Sequence, residues 1–153
     1  MSKSIIKLTA DGKLSIPEWS DQHEHIIKLI GEKCEIYEHV RPRRLYSVFK
    51  CKDTPDRKHP GKCISMLMDE EANYHDLPIN PIASWLYEYD RHGSVIRGNV
   101  LFVGEMWTID GLSFCALDDF AGLALLENLS KAISVFKELD KDCVFFKKED
   151  SNV

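Results

Sequence analysis

The chain has 153 residues, 44% of them apolar and 29% charged, and a net charge of −5. That is enough chain for one domain with its own core, and no apolar run approaches the roughly 18 residues of a membrane span. The N-terminal residues carry no long apolar segment and no small-residue cleavage site, so the expected location is the cytoplasm.

In chain order, residues 5–9 form an apolar-rich run, followed by Asp11-Gly12 and the alternating residues 13–16. This predicts a β-hairpin ended by Pro17. Ser20 is placed to cap a helix over 21–30, with Ile26, Ile27 and Ile30 on its apolar face and Gly31 closing it. Residues 34–40 alternate as a half-buried strand that Arg41-Pro42 breaks. Residues 45–49 predict a further strand, 51–61 a long charged loop, 63–68 an apolar strand and 69–73 an acidic turn.

The stretch PINPIASWLYEYDRHGSVIRGNVLFVGE (78–105) carries the clearest signals. Asn80 predicts an N-cap and Pro81 the first helical position. Ile82, Trp85, Leu86 and Tyr89 form one helical stripe, ended at Asp90-Arg91-His92-Gly93. Residues 100–103 predict a central strand ending at Gly104. Residues 107–111 predict a loop and 112–116 a last strand. Asp118 or Asp119 opens a long helix in which Leu123, Leu126, Leu129, Ile133, Phe136 and Leu139 keep the period. Residues 143–146 fit an edge strand or a docking patch, and 147–153 a charged, disordered tail. The whole predicts a single α+β domain over 1–140 and a partly disordered tail over 141–153. Its sheet is mixed, mostly antiparallel, and packed by two or three helices, the C-terminal one long.

Five cysteines, an odd number without a CxxC pair, predict reduced thiols rather than a disulfide framework. Charge is uneven. Residues 41–62 hold eight basic and two acidic residues, a charge of +6, which leaves −11 on the remainder. Arg41, Arg43, Arg44, Tyr46, Lys50, Lys52, Arg57 and Lys58 are therefore candidate contacts for a phosphate-bearing ligand.

The segments IGEKCEIYEHVRPRRLY (30–46), CISMLMDEEA (63–72), 77–105 and DGLSFCALDD (110–119) together resemble a family of small proteins of unknown function. These are encoded by phages, plasmids and other mobile elements of Firmicutes and gut bacteria. The shared frame is a glycine-bounded strand, an acidic turn, an "lp.N" segment and "I.GN..FVG" before a C-terminal helix. It covers nearly the whole chain, with Ala72 standing where the family pattern has glycine. The resemblance implies a mobile-element accessory protein acting in a bacterial cytoplasm, in the contest between phage and host. It brings no catalytic residues.

Three other chemistries compete with phosphate binding. Cys51, His59 and Cys63 have loose metal-ligand spacing, with His39 or Cys34 as a fourth ligand, but zinc favours tight pairs. His23 and His25 beside Glu24, His92 beside Asp90, and the run Asp69, Glu70, Glu71 offer acid–base groups without a catalytic motif. Tyr87, Met106 and Trp107 are candidate partner-binding aromatic and sulfur side chains. The sequence reading is a non-enzymatic accessory protein, with no cofactor. It blocks a host defence component by binding that protein or a phosphate-bearing ligand. A nucleotide- or nucleic-acid-binding module built on 41–62 is the alternative, with nucleic acid less favoured and a small enzyme third. Homo-oligomers are compatible, and membrane contact is not expected.

Overall fold

The local signals above become elements in the computed structural model, which describes residues 3–139. Cys143, the 143–146 strand or patch and the 147–153 tail lie outside the described residues. Strand β1 (Ile6–Leu8) and β2 (Leu14–Ser15) make the opening hairpin. Gly12 takes a φ of +86° at its turn, a left-handed conformation that costs glycine nothing. Helix α1 (His23–Ile30) starts from Gln22 rather than at 21. Ser20 acts one step earlier, its hydroxyl accepting the Gln22 N–H at 3.2 Å. Strand β3 (Tyr37–Val40) follows.

Residues 45–49 are not a strand. Helix α2 (Arg43–Ser47) occupies that stretch, starting from Pro42 and burying Leu45. Pro42 ends β3 by removing a donor, and its fixed φ suits a helix start. Strand β4 (Cys63–Asp69) is buried at every residue. The predicted helix over 81–89 is two short ones, α3 (Pro81–Leu86) and α4 (Tyr89–His92). Glu88, at a φ of +64°, turns the chain between them, and Gly93 ends the second. Asn80 caps α3, accepting the Ala83 N–H, and its amide donates to the carbonyls of Leu8 and Gly98. One buried side chain thus ties the helix start to two other segments.

Strand β5 (Val100–Thr108) runs straight through Gly104, so the predicted loop over 107–111 shrinks to a two-residue turn at Ile109-Asp110. It leads into β6 (Gly111–Cys115) and then α5 (Asp119–Leu139). The sheet order is β2-β1-β5-β4-β3, with β6 beside the second half of β5. Every pairing between these strands is antiparallel. The domain is α+β, with five helices on this open sheet.

The sheet is buried unequally on its two faces. Ile64, Met66 and Phe102 meet Leu45, Ile82, Leu86, Leu125 and Leu129 from α2, α3 and α5. On the other face Ile5, Leu67, Leu101 and Val103 meet Ile26 and Ile30 of α1. Cross-strand register puts His39, Ser65, Glu105 and Phe114 on that second face, beyond this apolar cluster. Among the described residues no helix is long and apolar enough to cross a membrane.

Candidate functional site

The basic segment is anchored at both ends, and the anchors decide which cations remain free. Its N-terminal anchor is Arg41, whose guanidinium donates to both oxygens of Glu105 and to the carbonyl of Asp53. Arg44 grips Asp90 with two bonds, at 2.6 and 2.8 Å, and lies 5.1 Å from the Trp85 ring centre. Arg57 donates weakly to the carbonyl of Thr108. Tyr46 donates its hydroxyl to the carbonyl of Ile64 and serves the core edge. These side chains hold the loop to the domain.

The C-terminal anchor is Gly61. Its N–H donates to the backbone carbonyl of Glu105 and its own carbonyl accepts the Asp118 N–H. A Cβ built on Gly61 would stand 2.3 Å from the Ala116 carbonyl oxygen, and one on Gly104 would stand 2.5 Å from the Gly61 Cα. Two glycines therefore let the loop cross the central strand beneath the start of α5.

Held by these anchors, the chain brings Lys50, Lys52 and, just past Gly61, Lys62 to one cleft of about 160 Å³, walled by Phe49, Cys51, Ile64, Ala121 and Ala124. A bridge between Lys52 and Cys63 holds the two sides of the loop together. Lys52 lies 3.9 Å from Asp56, while Lys50 and Lys62 pair with no carboxylate among the described residues. Lys50 sits at a φ of +63°, which costs a side-chain-bearing residue roughly 1–2 kcal/mol. Arg43 and Lys58 are exposed outside the cleft. Lys62 closes the basic segment 41–62 but is not one of the individually named sequence candidates. Its membership follows from the return of the loop through Gly61.

The buried half of the neighbourhood is the Glu105 cluster. Glu105 is fully buried. Burial, the largest influence, pushes its carboxyl up, but the bonds from His39 and Arg41 and the Arg41 charge outweigh it and hold it below the usual value. His39, Glu105 and buried Ser65 have the composition of a nucleophile–base–acid relay. Their geometry is different, because His39 Nε2 faces both the Ser65 hydroxyl, at 2.9 Å, and Glu105, at 3.2 Å. A relay needs the acid and the nucleophile on opposite ring nitrogens.

The other sequence candidates disperse. His59 turns its Nδ1 to Asp56 at 3.0 Å, and among the described residues no three His, Cys, Asp or Glu side chains converge as metal ligands. Burial pushes the Cys51 thiol up to about 12 and those of Cys34, Cys63 and Cys115 to about 11. All four stay protonated at neutral pH. His23, His25 and His92 donate to the carbonyls of Glu35, Glu18 and Tyr87. Asp69 is buried against His75, separate from exposed Glu70. Tyr87 is half-buried with the His92 ring edge against it. Met106 and Trp107 are neighbours on β5 and face opposite sides of the sheet. Trp107 shares its side with Leu112, and both are more than 40% exposed.

No protein-family model, curated protein or solved structure matches the chain.

Proposed function

We propose that this chain is a non-enzymatic binding protein that takes a phosphate-bearing ligand in the lysine cleft. The observation that carries this reading is the convergence of Lys50, Lys52 and Lys62 on one cleft, two of them without a carboxylate partner among the described residues. Lysines act on phosphate as point charges, and three around one cavity suit a polyphosphate or a nucleotide tail better than a single carboxylate. Phe49 on the same wall gives a base or other flat group an apolar contact. The strain at Lys50 supports the same reading, since it persists where the surroundings or a function demand it. Arg41 and Arg44, already engaged by Glu105 and Asp90, contribute by holding the loop. That division of labour favours a compact ligand over an extended nucleic-acid track. The dispersed histidines and the shared nitrogen at His39 support binding rather than catalysis.

The setting is the one the family resemblance implies, a phage or mobile-element accessory in a bacterial cytoplasm. There the protein disarms a host defence component by occupying its phosphate-bearing ligand. A second reading rests on exposed Trp107, Leu112 and Ile109 at the β5–β6 end, where a host protein would dock directly.

Calorimetric titration with a nucleoside triphosphate, inorganic triphosphate and the bare nucleoside separates the readings. Both triphosphates bind, the nucleoside binds much more weakly, and affinity falls steeply with salt. Lys50→Ala or Lys62→Ala weakens triphosphate binding by at least about tenfold. Equal binding of the nucleoside, or indifference to both lysines, would overturn the phosphate reading. Capture of a host protein that depends on Trp107 would then support the second.

A further inference from the structure

A groove of about 320 Å³ runs between the opening hairpin and the start of α5. Its apolar lining includes Ile5, Ile6, Ile16, Leu117, Leu123 and Leu126, and Asp118 and Asp119 stand at the end nearest the helix start. Ile16 is 56% exposed and Leu123 66%, while Leu126 is half-buried. Large apolar side chains gathered along one concave strip mark a surface that is covered in use. The groove flank of α5 continues beyond it. Asp119, Leu123, Leu126, Ser130, Ile133 and Lys137 are spaced by four, three, four, three and four residues, which keeps them on one face along the whole helix.

We propose that residues 144–148, which follow α5 in the chain, fold back along this flank and fill the groove. The order of the residues carries the proposal. Val144, Phe145 and Phe146 are followed directly by Lys147 and Lys148. A chain returning from the end of α5 passes Leu126 and Leu123 before it comes to Asp119 and Asp118. Apolar side chains therefore arrive on apolar ones, and cations arrive on the carboxylates beyond them. Burying two phenylalanines against Ile16, Leu123 and Leu126 removes apolar surface on both sides of the contact from water.

Length agrees with order. A helix rises about 1.5 Å per residue, so Leu126 lies about 20 Å back from Leu139 and Asp119 about 30 Å. An extended chain covers about 3.3 Å per residue, so Phe146 can lie up to about 23 Å from Leu139 and Lys148 up to about 30 Å. Phe146 thus reaches the level of Leu126. The ammonium of Lys148, on its long stem, reaches that of Asp119. On the way, Cys143 passes the middle of α5, where exposed Ser130 lies on the groove flank. Exposed Lys131, at the same height, points about 100° away around the helix. The lysine cleft opens on the other side of α5, at Ala121 and Ala124, so the two sites are occupied independently.

Disulfide trapping in the full chain tests the docking. Ser130→Cys and Lys131→Cys each place a thiol at the height that Cys143 passes, one on the groove flank and one off it. Each variant is oxidised with oxidised glutathione at low protein concentration, the bond is located by peptide mapping, and circular dichroism confirms the fold. Ser130→Cys is expected to close an internal bond to Cys143 at least about tenfold faster than Lys131→Cys, because docking raises the effective concentration on one side only. Phe145→Asp with Phe146→Asp, made in the Ser130→Cys chain, should bring its rate down to that of Lys131→Cys. Asp119→Lys in the same chain should slow it roughly two- to fivefold, the scale of an exposed ion pair. Equal rates at positions 130 and 131 overturn the proposal, since a segment that does not dock reaches both alike. A Ser130→Cys rate indifferent to the two phenylalanines overturns it equally, as does a bond that forms only between chains, which would place the segment on a second copy.

Discussion

Arg41 keeps a carboxylate charged where water cannot reach it. Glu105 is fully buried, and without the guanidinium His39 is the one cationic partner left to its carboxylate among the described residues. Removing one member of a buried pair costs several kcal/mol. Here Arg41 is 35% exposed and His39 remains, so Arg41→Ala should cost about 2–3 kcal/mol in chemical denaturation. The pH dependence should also change sign. In the native protein the Glu105 carboxyl lies below its ordinary 4.5, so its contribution is complete above that value and is lost as pH falls through the lowered one. Without Arg41, burial dominates and the carboxyl rises. The variant then loses stability as pH climbs past the unfolded value, and the gap to wild type narrows in acid. A gap that stays constant with pH would show that Glu105 is not held this way. Lys50 is the second informative residue. Lys50→Gly relieves the left-handed backbone and should raise stability by about 0.5–1 kcal/mol, while weakening triphosphate binding. A variant that loses both stability and ligand would mean that Lys50 supports the fold.

At the scale of elements, the crossing of Gly61 over Gly104 sets the site, because it brings Lys62 back towards Lys50. Gly104→Ala forces a methyl against the Gly61 backbone and the Ala116 carbonyl, neither of which can rotate away. It should cost about 2–3 kcal/mol, measured by thermal melting, and loosen the cleft. A silent Gly104→Ala would show that the loop crosses elsewhere. The same crossing explains what was legible in the sequence and what was not. Periodicity marked α1, α5, β4 and the hairpin, since each answers to its own neighbours. Asn80-Pro81 marked α3 because a cap is a local device. Gly104 reads as a strand end, yet β5 runs four residues beyond it, and the need for glycine comes from a segment some forty residues earlier. Residues 45–49 have the branched and aromatic composition of a strand. They lie in and just beyond a helix of five residues, too short to display a helical period. The charge of 41–62 was visible. Which cations were engaged depended on Glu105 and Asp90, whose roles appear only when distant strands and helices meet.

For the whole molecule, one half of the sheet and its helices form a conventional core, while loop 51–61 and the start of α5 frame the cleft. Arg41, Arg44 and Gly61 hold the loop from three sides, so the lysines are held close together before any ligand arrives, which lowers the ordering cost of binding. The most direct measurement is thermal stability of the wild-type protein and of the Lys50→Ala, Lys62→Ala double variant, titrated with inorganic triphosphate at fixed ionic strength. A ligand bound only by the folded state stabilises it by about 2.7 kcal/mol at one hundred times its dissociation constant. The account predicts a saturable upward shift of the melting temperature for wild type and little or none for the double variant. Equal shifts in the two proteins, or no shift in wild type, would contradict it.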